Sequence, residues 1–394
     1  MNEIIYEEGV IDDLTKEKLD DNQQISQIMF QSENFSIDDV ITREGIHQAT
    51  VSRDKACAYG ILFALQKIGI LDQGKKYTLT DMREHQAIIP QYRWLLKHWT
   101  YRLFKEGLIS KNPDHSYTCE NKTSEDTLIG LWNKAKFLLK KHMGMTEFVN
   151  YIENTSRNTA SILKGSIDPI SILYPQGKEH ILKDLYENNL IAQCLNKKIS
   201  EVTVAIVDSN PNRTFKILEI GAGSGATSSV VLEGLKNHPN FEYYFTDIAK
   251  NFIPNAKNRF KGNRQISYQI LDIDKDYRMQ GFSPKTFDII IAAGVVENAK
   301  RLKMTMGYIE DLLVPNGWFL FTAPTEEELW ILASQAFLMT KPEDELREHT
   351  TYMEEKGWLD LLKIYGGDGN IYKYPLKDTL LDTFKMRLFV KKFI

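Results

Sequence analysis

The stretch LEIGAGSGAT, residues 218–227, decides the fold expected for this chain. It ends a continuous apolar run, FKILEIG, and its acidic residue Glu219 precedes three closely spaced glycines. The glycines are Gly221, Gly223 and Gly225. Glycines allow a tight turn and let the backbone come close to a ligand. A strand, a glycine turn and a helix from about Ala226 therefore predict a ligand-binding loop in an α/β protein.

The glycine spacing differs from the dinucleotide fingerprint GxGxxG, because Gly225 comes one position too early to be the third glycine. The acid before the first glycine also argues against a pyrophosphate at this loop. A glutamate there suits a zwitterionic ligand that carries an ammonium group.

Further apolar runs follow the loop, and most of them are separated by enough residues for a helix. They are FEYYFTDI, ISYQILDI, FDIIIAAGVV, WFLFTA and, at residue 394, TFKMRLFVKKFI. Buried strands that alternate with helices predict a Rossmann-like, doubly wound parallel sheet. The helical periodicity before it breaks at DSNPNR, residues 208–213, and we assign residues 201–394 to this α/β domain.

The loop and two later acids resemble the class I S-adenosylmethionine methyltransferases. The resemblance implies S-adenosylmethionine as the cofactor. The implied loop contacts are Glu219, Gly221, Ala222, Gly223 and Gly225. Asp247, after the second strand, would bind the ribose hydroxyls, and Asp272, after the third, would accept from the adenine amino group. Ile273 would pack against the ring.

Longer phrases narrow the resemblance to the methyltransferase domains of polyketide synthases and mixed polyketide–peptide synthetases. The phrases are YFTDIAKNFIPNAKNRF, LDIDKDYRMQGF, PTEEELWIL and SILYPQGKEHILKDLYENNLIAQCLN. Those domains methylate an acyl chain on the phosphopantetheine arm of a carrier protein. The resemblance therefore implies a polyketide-type acyl acceptor, bound to a carrier or released from it. Because the sheet looks complete at residue 394, we expect a free-standing form of the family.

The chain departs from that family at its catalytic dyad. Carbon-methylating members carry a His after the fourth strand, which removes the proton between two carbonyls, and a Glu after the fifth, which orients the His. Here Glu297 and Ala323 fall at these positions, and no His lies between His238 and His349. Glu297 could be the base, with a pKa raised in a dry pocket. Alternatively, the acceptor is an oxygen that needs less help, or catalysis is lost. Because the dyad is missing, we expect methylation of an oxygen slightly more than methylation of a carbon.

The segment expected to cover the active site supplies further candidates. Tyr174 and Tyr186 are candidate catalytic residues, because a tyrosine hydroxyl could steer an enolate. Asn196 matches an asparagine often found there in the family.

The sequence before residue 201 divides at about residue 45. Residues 1–45 are polar and acidic, and they are expected to form a mobile tail, a loosely packed first helix or a docking segment for a partner. Residues 46–200 show helical periodicity and are expected to form a lid. Part of this lid, helices from about Arg53 to Ser110 followed by the polar turn KNPDHS, resembles a winged helix. Its third helix is rich in Trp and Leu, which favours packing over DNA binding.

Composition excludes several other functions. The formal charge is −4, which gives no bias towards nucleic acid. No apolar run reaches the roughly 18 residues of a membrane span, and the cysteines do not form a CxxC or a His/Cys cluster, so neither a metal site nor a disulfide framework is expected. A cytoplasmic protein fits these features. The alternative to an enzyme is a non-catalytic, methyltransferase-like scaffold that docks on a synthase.

Overall fold

The computed structural model describes residues 21–31, 41–173, 175, 180–347 and 350–394. The described part of the N-terminal half is mainly helical. Its helices are α1 (Asp21–Phe30), α2 (Arg43–Lys67), α3 (Leu79–Arg83), α4 (Leu95–Lys105), α5 (Glu125–Met143), α6 (Glu147–Leu163), α7 (Ile170–Leu173), α8 (His180–Lys183) and α9 (Leu190–Asp208). A π-helical turn, Asp184–Asn188, joins α8 to α9.

Local sequence explains where the longest of these helices begin and end. The Thr42 side chain accepts a hydrogen bond from the Gly45 N–H at the start of α2, and Ser124 caps α5 in the same way. Gly144 ends α5 in the left-handed region, at φ +66°.

The winged-helix order predicted for the lid is present. Three short strands, β1 (Lys76–Tyr77), β2 (Ser110–Lys111) and β3 (Tyr117–Thr118), form an antiparallel sheet in the order β1-β3-β2 beside α2, α3 and α4. Helix α4 is a packing helix, because Trp99 is fully buried and its indole N–H donates to the Leu332 carbonyl at 3.0 Å. This position confirms the packing role expected from its Trp and Leu content.

The C-terminal half forms a seven-stranded sheet in the order β6-β5-β4-β7-β8-β10-β9. Its strands are β4 (Phe215–Glu219), β5 (Phe241–Asp247), β6 (Ile266–Ile270), β7 (Phe287–Ala293), β8 (Leu313–Pro324), β9 (Ile371–Tyr374) and β10 (Met386–Lys392). Strands β4 to β8 pair in parallel, and β10 pairs antiparallel with both β8 and β9. The predicted α/β fold is confirmed, although the sequence did not reveal β9.

Helices cover both faces of this sheet. They are α10 (Ala226–Gly234), α11 (Phe252–Arg259), α12 (Leu302–Leu312), α13 (Leu329–Ala333) and α14 (Glu355–Ile364). Strand β7 is buried, and its residues alternate between two cores: Ile289 and Ile291 pack on the side of α9 and α10, while Ile290 and Ala292 pack on the side of α12 and α14. The predicted division of the chain at residues 45 and 200 stays a prediction; in the structure, α1 and α9 contribute to a sheet core and α13 to the lid core.

The strand order places a crevice at the carboxyl ends of β4 and β7. The chain builds β5 and β6 to one side of β4 and then crosses to β7 and β8 on the other, so the connections leave in opposite directions. Ligands of open α/β sheets bind at such a switch point. Among the described residues, no helix is long and apolar enough to cross a membrane.

Candidate active site

The glycine loop lies at this switch point, and its three glycines are needed for different reasons. All three have positive φ angles, +64° at Gly221, +54° at Gly223 and +82° at Gly225. A Cβ at Gly221 would lie 2.4 Å from a Val295 methyl, and one at Gly225 would lie 3.0 Å from the Phe260 ring. A Cβ at Gly223 would meet only the Gly221 carbonyl oxygen, at 4.0 Å. The space beside Gly223 is therefore open to a ligand.

The two predicted acids line one groove of about 630 Å³, called here the aspartate groove. The Asp247 carboxylate accepts hydrogen bonds from the Gly223 N–H at 2.8 Å and the Ala249 N–H at 2.7 Å. Burial raises its pKa. Asp272 lies on the same groove and pairs with Lys275 at 2.9 Å.

The predicted Ile273 also lines the aspartate groove, together with a residue that sequence reasoning missed. Ile248, directly after Asp247, is 62% exposed in this groove. An exposed isoleucine beside a polar groove offers an apolar surface to a planar ring.

A second space, called here the lid cavity, has a volume of about 370 Å³. It lies between the lid and the carboxyl edge of the sheet. Apolar side chains from both halves line it, including Met145, Phe148, Leu185, Ile191, Leu195, Ile331 and Trp330. Among the described residues, Gly221, Gly294 and Asn298 line both the lid cavity and the aspartate groove. These three residues form the junction between the two spaces.

Glu219 and Ala222 face the lid cavity rather than the aspartate groove. The Glu219 carboxylate is buried and accepts hydrogen bonds from the Tyr243 hydroxyl at 2.7 Å and from the Ser228 hydroxyl. Burial raises the pKa of Glu219 to about 7. Its two hydroxyl partners show that this carboxylate also fixes the first turn of α10 against β5.

Glu297 lies beside the junction, in a short 3₁₀ turn, Val296–Asn298, that follows β7. The residue is 6% exposed, and its Oε2 atom has no hydrogen-bond partner among the described residues. Burial raises the pKa of Glu297 to about 8. A buried carboxyl oxygen without a partner costs free energy unless it is protonated or serves a ligand. Such perturbed groups in clefts are candidates for proton transfer.

Tyr186, on the π-helical turn, converges with Glu297 on the junction. A Cβ at Gly294 would lie 3.8 Å from Glu297 Oε1 and 3.9 Å from Tyr186 Cε1. Tyr186 is 42% exposed, but its hydroxyl lies in partly desolvated surroundings. This desolvation and the nearby carboxylates of Glu297 and Asp247 raise the pKa of Tyr186 to about 12, so its hydroxyl stays a hydrogen-bond donor at neutral pH. Tyr174 lies outside the described residues.

Ala323 faces away from this site. It belongs to the core on the α12 and α14 side, whereas its neighbours Thr322 and Pro324 line the lid cavity. Successive residues of a strand face opposite sides of the sheet. A glutamate at residue 323 would therefore not reach Glu297, and the residues of β8 that line the cavity are Thr322 and Pro324.

Two further residues near Glu297 were not found from the sequence. Tyr352 lines the lid cavity, and burial and the Glu297 carboxylate raise its pKa. Arg347 is buried, and its guanidinium donates to the backbone carbonyl of Glu297 at 2.7 Å. Both lie about fifty residues beyond Glu297, and their local sequence carries no recognisable motif.

The π-helical turn is tied to the glycine loop at two points. Asn196 donates to the Tyr186 carbonyl at 3.0 Å and accepts from the Thr227 hydroxyl of α10 at 2.8 Å. Arg259 pairs with Glu187 at 2.7 Å and donates to the Ser224 carbonyl at 3.0 Å. The lid and the glycine loop therefore share polar contacts beside the lid cavity.

Comparison with known proteins agrees with this geometry. Residues 218–319 match a family model described as a methyltransferase domain. Pyochelin synthetase PchF of Pseudomonas aeruginosa is 26% identical over 83% of this chain, and polyketide synthase PksM of Bacillus subtilis is 28% identical over 62%. The chain spans 18% of the length of PchF and 6% of that of PksM.

The fold of the whole chain also has solved counterparts. The CurJ carbon methyltransferase matches 94% of this chain and 96% of its own, with a TM-score of 0.81 and 21% identity. The likeness includes the lid, because it extends far beyond residues 218–319. The chain therefore carries a methyltransferase domain at residues 218–319, within a fold that it shares, lid included, with the CurJ carbon methyltransferase, and it is similar in sequence to polyketide synthases.

Proposed function

We propose that this chain methylates a carbon atom of a polyketide-type acyl acceptor, with Glu297 as the general base. The observation that carries the proposal is the buried, partnerless Oε2 of Glu297 beside the junction of the two spaces. General bases work best when their pKa lies close to the working pH, and a pKa of about 8 meets that condition.

The residues of the aspartate groove and the glycine loop suit the cofactor. Asp247 would accept from the ribose hydroxyls and Asp272 from the adenine amino group, while Ile248 and Ile273 would hold the ring between them. The open space beside Gly223 would admit the amino-acid part. Bound S-adenosylmethionine would supply an electrophilic methyl group.

The protein's own groups would handle the acceptor proton. The Glu297 carboxylate would remove a proton from the acceptor carbon, and the electron pair of that C–H bond would form the new bond to the methyl carbon. The sulfur–methyl bond would break at the same time, its electron pair would return to sulfur, and S-adenosylhomocysteine would remain. The Tyr186 hydroxyl donates a hydrogen bond to the enolate oxygen that develops in this step. The mainly apolar lining of the lid cavity would lower the local dielectric constant and so strengthen this interaction.

Carbon is favoured over oxygen by the position of Glu297. The expectation of an oxygen acceptor rested on the missing dyad, but a carboxyl beside the junction can take over the role of the missing His. A pre-ionised oxygen would instead be repelled by the Glu297 carboxylate. CurJ, which shares this fold with its lid, is named as a carbon methyltransferase.

The lid cavity suits an acyl chain, and a carrier domain is the proposed partner that presents it. Its lining is mainly apolar, with polar groups concentrated near the junction. Acyl chains gain binding free energy from such burial, at roughly 0.8 kcal/mol for each CH₂.

The test is incubation with S-adenosylmethionine and a β-ketoacyl pantetheine thioester, followed by mass spectrometry and NMR. We expect the gain of one methylene unit, with the new methyl on the carbon between the two carbonyls. A methyl on oxygen or nitrogen would overturn the choice of carbon. Tight cofactor binding without turnover on this thioester or its carrier-bound form would favour the non-catalytic scaffold.

A further inference from the structure

The guanidinium of Arg347 contacts the turn that carries Glu297. It is 3% exposed and donates to the carbonyl of Glu297 at 2.7 Å and to that of Lys300 at 3.3 Å, and a further bond reaches the Ala299 carbonyl. Its own charge is balanced by Asp344. A planar guanidinium with several donors holds adjacent carbonyls in a defined arrangement that a lysine ammonium cannot reproduce.

The segment around Arg347 is fastened to the same turn by other bonds. The Glu343 N–H donates to the Lys300 carbonyl at 2.8 Å, and the Leu302 N–H donates to Asp344 at 3.1 Å. Leu338, Met339, Thr340 and Glu343 of this segment line the aspartate groove. One stretch of chain therefore forms a wall of the cofactor site and holds the turn of the proposed base.

We propose that Arg347 is a positioning residue for methyl transfer: its guanidinium fixes the Val296–Asn298 turn so that the Glu297 carboxyl stays beside the junction. This inference rests on the proposed function, because it assigns Arg347 a role through Glu297. Arg347 has no contact with either ligand space of its own, since it lines neither the lid cavity nor the aspartate groove.

The positive charge of Arg347 and the hydrogen-bond geometry of its guanidinium should have separable effects on the reaction rate. The positive charge of Arg347 lowers the pKa of Glu297, opposing burial. The other titratable groups close to Glu297 are Tyr186 of the π-helical turn and Tyr352, while Glu219 and Glu328 line the same cavity. These groups are neutral or negative. Arg53 also lines the cavity, but it is paired with Asp54 at 2.9 Å and with Glu328 at 2.6 Å, so it does not replace the charge of Arg347.

The experiment compares Arg347→Lys with Arg347→Met. Arg347→Lys keeps the positive charge but loses the planar guanidinium that bonds several carbonyls at once, so kcat should fall about 10- to 100-fold. The rising limb of the pH–rate profile should stay in place. Arg347→Met should lower kcat and also move that limb to higher pH, because Glu297 then ionises less readily. Calorimetric titration with S-adenosylmethionine counts the folded molecules in each preparation.

The matched control is Arg278→Lys. Arg278 pairs with Asp311 at 2.7 Å, both side chains are well exposed, and Arg278 lines neither the lid cavity nor the aspartate groove. This variant should leave kcat and the pH limb unchanged. A pH limb that does not move in Arg347→Met, or an equal loss in the control, would overturn the inference.

A double variant separates this inference from the proposed function. If Arg347 acts through Glu297, then Arg347→Lys combined with Glu297→Gln should be no slower than Glu297→Gln alone. Additive losses would assign Arg347 an independent structural role. A silent Glu297→Gln would overturn the proposed base itself, whatever Arg347 does.

Discussion

Glu297 combines deep burial, an oxygen without a partner and a position beside the junction of two ligand spaces. Glu297→Gln keeps the shape and removes the titrating group. Turnover should fall by roughly 10²–10⁴-fold, the usual contribution of general acid–base catalysis. The affinity for S-adenosylmethionine should change little, because Glu297 does not line the aspartate groove.

The pH dependence of the native protein follows from the same shift. A base must be ionised, and the pKa of Glu297 is raised to about 8, so the rate should increase with pH up to that region. A bound sulfonium charge stabilises the carboxylate, so the limb of kcat should lie at or below that value. The matched control is Glu345→Gln, which removes an exposed glutamate of the neighbouring segment and should leave the pH–rate profile unchanged. A pH–rate profile that stays flat from about pH 5 to about pH 9 would show that Glu297 is not the general base.

Gly223 gives a separate test of the cofactor site. Gly223→Ala adds one methyl group to the open space beside the loop, so the affinity for S-adenosylmethionine should fall at least about tenfold, or 1.4 kcal/mol. The added Cβ also strains the backbone, because φ is +54°. Gly107→Ala is the matched control: Gly107 has φ +68° and equally open surroundings but lines neither space. An equal change in affinity in both variants would mean that strain alone explains the result.

The π-helical turn shows how one secondary-structure element joins the lid to the glycine loop. Asn196→Ala would leave the Tyr186 carbonyl and the Thr227 hydroxyl without their buried partner, at a cost of about 1–3 kcal/mol for each unsatisfied group. We expect a raised KM for the acceptor, because the turn that carries Tyr186 loosens, with a lower Tm.

The comparison variant is Asn188→Ala, in the π-helical turn whose Tyr186 carbonyl Asn196 binds. The Asn188 side chain bonds to Asp184 at 3.2 Å in an exposed position, so its removal should leave KM and Tm nearly unchanged. Equal effects of the two variants would contradict a specific role for Asn196.

The secondary structure was predictable where sequence patterns are long and local. The apolar runs from residues 215 to 324 predicted the parallel strands, because such strands are buried on both faces. Strand β9 has four residues of mixed polarity and lies at the sheet edge, so its sequence, IYKY, gave no clear signal. The packing of α13 into the lid core is a contact between distant parts of the chain, which local periodicity does not encode.

The same distinction applies to the site. The glycine loop and its acids follow strands in a fixed order, so sequence alone could name them. Arg347 and Tyr352 reach Glu297 only through tertiary packing, and nothing in their surrounding sequence marks them. The sequence could name Glu297 and suggest a raised pKa, and the structure supplies the cause, which is the burial of its carboxyl.

At the level of the complete chain, α1 links the acidic N-terminal region to the sheet. Ile25 and Met29 of α1 are buried in a sheet core, and the buried Lys198 ammonium donates to the Ile28 carbonyl at 2.8 Å. Deleting residues 1–40 should therefore lower Tm, because it exposes apolar surface of α9 and removes this acceptor from a buried charge.

A second variant tests whether the loss of the acceptor for Lys198 contributes to the lower Tm of the shortened chain. Lys198→Met in the shortened chain removes the buried charge and should recover part of the lost Tm, whereas the same change in the full chain should not raise Tm. Deleting residues 1–20 alone should have little effect, since it leaves α1 in place. A shortened chain as stable as the full one would show that α1 contributes nothing to the fold.

The junction has a consequence for how ligands leave. The lid cavity and the aspartate groove meet at Gly221, Gly294 and Asn298 but are otherwise lined by different described residues. Under the proposed function, the adenosine part of the spent cofactor would leave through the aspartate groove while the acyl chain stays under the lid. A carbon that keeps a second acidic hydrogen would then receive another methyl group before the acceptor leaves, and the ratio of mono- to dimethylated product would depend on how fast cofactor exchange is relative to acceptor release.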